Sequence, residues 1–84
     1  MKNEDKMSFS EEEILQQIKS ARKNYGQKNF NEAIKLYEQV AKILQDDLDN
    51  QPIIQIELAW SYYNNQDYSK AITLFKKALE SNSN

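Results

Sequence analysis

The clustered acids are the first places where side chains could do chemistry. Asp46, Asp47 and Asp49 stand close enough to suggest a calcium loop. Such a loop needs oxygen ligands at regular offsets and a glycine at its sharp turn. Gln51 or Pro52 stands where the glycine should be and the ligand spacing fails, so solvated carboxylates are expected. Glu11, Glu12 and Glu13 read as a helix start, where the dipole favours negative charge, and not as an acid–base pair. The chain has no Cys and no His, which removes thiol nucleophiles, imidazole bases, disulfides and zinc fingers together. No phosphate loop and no nucleophile–base pairing is found. Lys70, Lys76 and Lys77 make a short basic face, expected to be solvated at a net charge of −2. The sequence therefore predicts no enzyme, no metal and no cofactor.

Binding is the better prospect. Arg22, Trp60 and Tyr63 belong to the residue types that dominate protein–protein hot spots. Trp60 and Arg22 also carry polar ends that need solvent or a partner. Eleven basic against thirteen acidic residues leave no electrostatic footprint for nucleic acid. No apolar run approaches the ~18 residues of a membrane span, and Met1–Ser10 lacks the apolar core of a signal peptide. A cytoplasmic protein without nucleic-acid or membrane partners is expected.

The elements that position these residues are helices. One Gly and one Pro are too few for a many-turned β chain. Phe9-Ser10-Glu11-Glu12-Glu13-Ile14 reads as a capping box with Phe9 packed on Ile14, opening a helix that stops near Gly26. Asn29, with Glu32 three residues on, is expected to cap a second helix running to about Leu48. Pro52 suits the first turn of a third, which ends at Asn64-Asn65, and Asp67 is expected to cap a fourth. At 84 residues this is one domain, expected at 10–82 behind a flexible tail at 1–9.

The two halves are one unit repeated. Displacing the chain by 38 places Gln17, Ile18, Ala21, Tyr25, Ala33, Ile34 and Leu36 on identical residues. Phe30 lands on Tyr68 and Tyr37 on Phe75. Ala21, Ala33, Ala59 and Ala71 let the two helices of each hairpin approach closely, with Tyr37 and Phe75 filling the remaining space. The string Leu58-Ala59-x2-Tyr62, followed by Tyr68-x2-Ala71-x3-Phe75, resembles the tetratricopeptide repeat. Gln55 stands where that family usually has Trp. The first unit matches in Ala21, Phe30, Ala33 and Tyr37 and departs at Gln17, Ser20 and Asn24. Its length implies a second helix about a turn longer than usual. The resemblance implies an all-α fold of two tandem hairpins, repeat one at 14–51 and repeat two at 52–82. Four antiparallel helices would form a short right-handed superhelical array.

On a helical wheel the third helix shows two apolar stripes, Leu58/Ala59/Tyr62 and Ile53/Ile56/Trp60/Tyr63, with Glu57, Ser61 and Asn64 as a polar strip between them. A helix apolar on two sides is packed on two sides. The first and fourth helices have one apolar face each and read as ends, leaving Leu74 and Leu79 partly bare. The resemblance implies a concave groove on the first helix of each repeat. It would carry Leu15, Ile18, Arg22 and Tyr25 from one unit, and Ile53, Ile56, Trp60, Tyr63 and Asn64 from the other. An amphipathic helix or extended apolar peptide is the expected ligand. The alternative is a homodimer that buries the same surface. The bland reading of Ile18 and Ile56 is core packing between the two first helices. Some family members grip a chaperone's terminal carboxylates with Lys and Asn. Here Ile18, Arg22 and Glu57 stand at those places, so that ligand is not expected.

Overall fold

In the computed structural model, which describes residues 9–81, four helices run in order: α1 (Glu11–Gly26), α2 (Phe30–Ile43), α3 (Gln51–Asn64) and α4 (Tyr68–Ser81). Among the described residues there is no strand. Consecutive helices pack on one another, α1 on α2, α2 on α3 and α3 on α4. The result is a thin slab of 43 × 34 × 15 Å. No helix among the described residues is long and apolar enough to cross a membrane. The expected tail at 1–9 falls, apart from Phe9, outside the described residues, as do 82–84.

Local chemistry sets most of the boundaries. Ser10 Oγ accepts from the Glu13 amide at 3.1 Å, and Glu13 Oε1 accepts from the Ser10 amide at 3.0 Å, so the capping box is complete. Pro52 sits in the first turn of α3, where its missing N–H costs no helical bond. The two hairpin turns are the same turn. In the first, the Lys28 amide donates to Tyr25 O and the Asn29 amide to Asn24 O; in the second, Gln66 donates to Tyr63 O and Asp67 to Tyr62 O. This nested pair of bonds closes a helix end through one left-handed residue.

The core lies where the small residues permit close approach. Ala21, Ala33, Ala59 and Ala71 are all buried, with Tyr37, Val40, Ile54, Leu58 and Tyr62 around them. α3 is clamped between α2 and α4, as its double apolar face requires.

Two expectations about helix ends are corrected. α2 ends at Ile43, not near Leu48, and has 14 residues like α3 and α4, so the extra length of the first unit lies in the connection. Leu48 is 85% exposed despite its helical spacing from Leu44. Asp46 and Asp47 oppose the negative end of a helix dipole, and Asp47 turns instead to its neighbours. Its Oδ1 accepts from the amides of Asp49 and Asn50 and its Oδ2 from Asn50 Nδ2. These bonds hold its carboxyl below the ordinary carboxylate range, the Asn50 side chain foremost. Asp47 is therefore the hub of the α2–α3 loop and not a merely solvated acid. Second, Asn29 stands at the N-cap of α2 without a side-chain cap; its Nδ2 donates to Asn24 Oδ1 instead. α1 does stop at Gly26, as expected, and the left-handed positions of the two turns are Lys28 and Gln66.

Candidate functional site

A trough runs between α1 and α3, and its polar centre is a closed network. Arg22 on α1 donates from Nε to Glu57 Oε1 at 2.9 Å and from Nη2 to Glu57 Oε2 at 2.7 Å. Tyr37, reaching up from α2, donates its hydroxyl to the same Glu57 Oε1 at 2.8 Å. Further along, Asn64 Nδ2 donates to the Tyr25 hydroxyl and to Trp60 O, both at 2.8 Å. The forked pairing of guanidinium and carboxylate fixes orientation as well as charge. Burial pushes the Glu57 carboxyl up, but the hydrogen bonds from Arg22 and Tyr37 and the Arg22 charge outweigh it and hold Glu57 below its ordinary value. The hydrogen bond to Glu57 in turn raises Arg22. Burial, then the bond to Glu57, pushes the Tyr37 hydroxyl above its usual range. At neutral pH these groups are locked in one protonation state, which suits scaffolding and not proton transfer.

Two adjoining clefts share Arg22. One, of about 520 Å³, is lined by Ile14, Leu15, Ile18, Ile53 and Ile54, with Glu11, Leu44, Asp47 and Asn50 at its edges. The other, of about 290 Å³, is lined by Tyr25, Tyr37, Glu57 and Trp60. Trp60 then leads away from the trough. Its ring meets Phe75 edge-to-face at 5.1 Å and Tyr63 at 5.6 Å, and Tyr63 meets Tyr68 at 5.2 Å. These T-shaped pairs suit the quadrupoles of the rings and leave their outer edges exposed. The first hairpin has the counterpart of the last pair in Tyr25 and Phe30, at 5.5 Å.

Of the expected groove residues, Leu15, Ile18, Arg22 and Ile53 come together in the larger cleft, and Arg22, Tyr25 and Trp60 in the smaller. Asn64 borders them through Tyr25. Tyr63 belongs to the aromatic ladder toward α4, and Ile56 is half-buried on the same face of α3. Ile18 also packs against the core.

The three residues of the expected polar strip of α3 differ in burial: Asn64 is exposed and Glu57 half-buried. Ser61 is fully buried, its hydroxyl satisfied by Glu57 O at 3.0 Å within the helix. Glu57, Tyr37, Ile54 and Phe75 were not among the expected site residues. The signal for Glu57 was present: Arg22 needed a partner, and Glu57 is an acid inside a mostly apolar helix.

The segment 52–84, which contains α3 and α4, matches the family model described as tetratricopeptide repeat. That segment is similar to a tetratricopeptide repeat. The four helices form a tetratricopeptide-like array, in which the first hairpin shares the turn geometry and the aromatic pair of the second. Tetratricopeptide repeats are generally protein–protein interaction modules. No curated protein and no solved structure matches the chain.

Proposed function

We propose that this chain is an adaptor that holds an apolar segment of another protein, an amphipathic helix or extended peptide, in the trough between α1 and α3. The observation that carries this reading is the pair Leu15, 55% exposed, and Ile53, 49% exposed, which line one aliphatic cleft from two helices. Large aliphatic side chains half in water beside a concavity mark an interaction surface. Arg22 is already neutralised by Glu57, so the ligand is selected for apolar side chains more than for an acid. The lack of cysteine suits a cytoplasmic setting.

A random peptide display library selected on the immobilised chain tests the reading. Selected peptides should carry apolar residues at regular spacing and lose at least about tenfold in affinity to Leu15→Glu or Ile53→Glu, with helicity unchanged. Failure to select any peptide, or binding indifferent to both substitutions, sinks it. A homodimer is the second reading, favoured by the exposure of Tyr68, Ile72 and Leu79. Sedimentation across concentration separates the two.

A further inference from the structure

Charge is distributed unevenly along the α1/α3 trough. The larger cleft is walled by hydrocarbon from Ile14, Leu15, Ile18, Ile53 and Ile54. Two acids border it, Glu11 from the first turn of α1 and Asp47 from the α2–α3 loop. Glu11 pairs with no described residue. Asp47 is held in place by the amides of Asp49 and Asn50 on Oδ1 and by Asn50 Nδ2 on Oδ2. A carboxylate can accept about four hydrogen bonds, so Oδ2 keeps room for one more. The cation at this cleft, Arg22, gives Nε and Nη2 to Glu57. Glu57 is spent in turn, because Tyr37 takes a second place on its Oε1. The smaller cleft beyond Arg22 therefore offers the rings of Tyr25 and Trp60 and a neutralised acid. Uncommitted negative charge lies at one end of the trough, on Glu11 and Asp47.

We propose that the segment held in the trough carries a lysine or arginine beside its apolar anchor, with the cation seated at Glu11 and Asp47. This rests on the trough being the binding surface and names what that surface selects. A cleft with low-dielectric walls and acids of one sign at its rim focuses its field on an incoming cation. The stem of a lysine or arginine can lie along the exposed side chains of Leu15 and Ile53 while its head reaches the carboxylates. An acidic segment is repelled at the same place. A second copy of this chain is a poor occupant, because a twofold contact through the cleft would set Glu11 and Asp47 against the same acids of its partner. The asymmetry also fixes direction: the cation lies toward the start of α1, and the far end of the segment lies toward Tyr25 and Trp60.

The probes are two synthetic amphipathic peptides with the same helically spaced leucines. They differ only in the residues flanking the first leucine, lysines in one and glutamates in the other. Each is titrated into the isotope-labelled full chain. Amide shifts should centre on Leu15, Ile18 and Ile53, and the lysine peptide should bind at least about fivefold more tightly at low salt. That advantage should shrink as NaCl rises from about 0.05 to 0.5 M. The double variant Glu11→Gln, Asp47→Asn keeps an acceptor for the loop amides at 47 and leaves the capping box of Ser10 and Glu13 intact. It should bring the two peptides within about twofold of each other while the leucines still bind. A lysine preference that survives in the double variant would come from bulk charge and overturns the proposal. Equal binding of both peptides to the parent, weakened alike by Leu15→Gln, overturns it and leaves the trough reading standing. If neither peptide binds up to about millimolar concentration, or a concentration-dependent dimer covers Leu15 and Ile53, the trough reading and this inference fail together.

Discussion

Arg22 and Glu57 join α1 to α3 across 35 positions of sequence, through two hydrogen bonds of 2.9 and 2.7 Å. α1 and α3 are not the closest-packed neighbours, so this pair helps set the width of the trough. Its Arg22 end is 56% exposed and its Glu57 end 26%, so solvent screens much of the attraction. A double-mutant cycle of Arg22→Met and Glu57→Gln, read by urea unfolding, should give a coupling of about 0.5–1 kcal/mol. Glu57→Gln should be the costlier single change, because Tyr37 also loses its charged acceptor. Zero coupling would show the pair to be incidental.

The same carboxylate predicts an acid limb. Glu57 is held below its ordinary value in the folded chain, so its contribution is present above the unfolded carboxylate pKa and is lost as pH falls through the folded one. Stability should therefore decline below about pH 4.5, the ordinary glutamate value. In Glu57→Gln that decline should be shallower. Urea midpoints at pH 3 and pH 6 check it; parallel losses in both proteins would refute the assignment.

How far the sequence alone reached follows from which forces are periodic. The alanines at 21, 33, 59 and 71 repeat at a fixed displacement, and their burial marks the hairpin interfaces. The capping box of Ser10 and Glu13 is a local code and is legible for the same reason. Spacing misled at Leu44 and Leu48, because periodicity cannot weigh Asp47's bonds to Asp49 and Asn50 against one more turn of helix. Glu57 was hidden differently: its partners Arg22 and Tyr37 come from two other helices. Ser61 shows that a hydroxyl bonded to its own helix can lie in the core while reading as polar surface.

Tyr62 predicts the alkaline limb. Burial first, then its bond to Glu38, pushes its hydroxyl up to about 12 from an ordinary 10.0. The folded chain keeps the proton longer than the unfolded one, so this contribution is full below pH 10.0 and fades as pH rises toward 12. Tyr62→Phe should be less stable at neutral pH, and its own curve should fall less between those limits. An unchanged alkaline slope would place the titration elsewhere.

The hairpin interface leaves no room at Ala71, which is 1% exposed. Ala71→Leu should overpack α4 and lower stability by about 1–3 kcal/mol. The control is Thr73→Leu on the exposed face of α4, expected within about 0.5 kcal/mol of the parent. A thermal melt of Ala71→Leu that matched the parent would contradict this packing.

The turns carry a stored cost that a substitution should release. Lys28 and Gln66 occupy equivalent positions and both adopt left-handed backbone, with φ of 67° and 68°. A side chain there suffers a clash of roughly 1–2 kcal/mol that glycine avoids, while glycine's extra freedom in the unfolded chain returns about 0.5–1 kcal/mol. Lys28→Gly and Gln66→Gly should each therefore stabilise the chain, by about 0.5–1 kcal/mol. Gly26 is the converse case. It lies in regular helix without positive φ, and a Cβ there would meet nothing within 4 Å. Gly26→Ala should add about 0.5–1 kcal/mol by limiting the unfolded chain. Moving the lone glycine from 26 to 28 should then raise the melting temperature by more than either change alone. A lower melting temperature in the double variant would mean that the turn in solution does not close through Lys28.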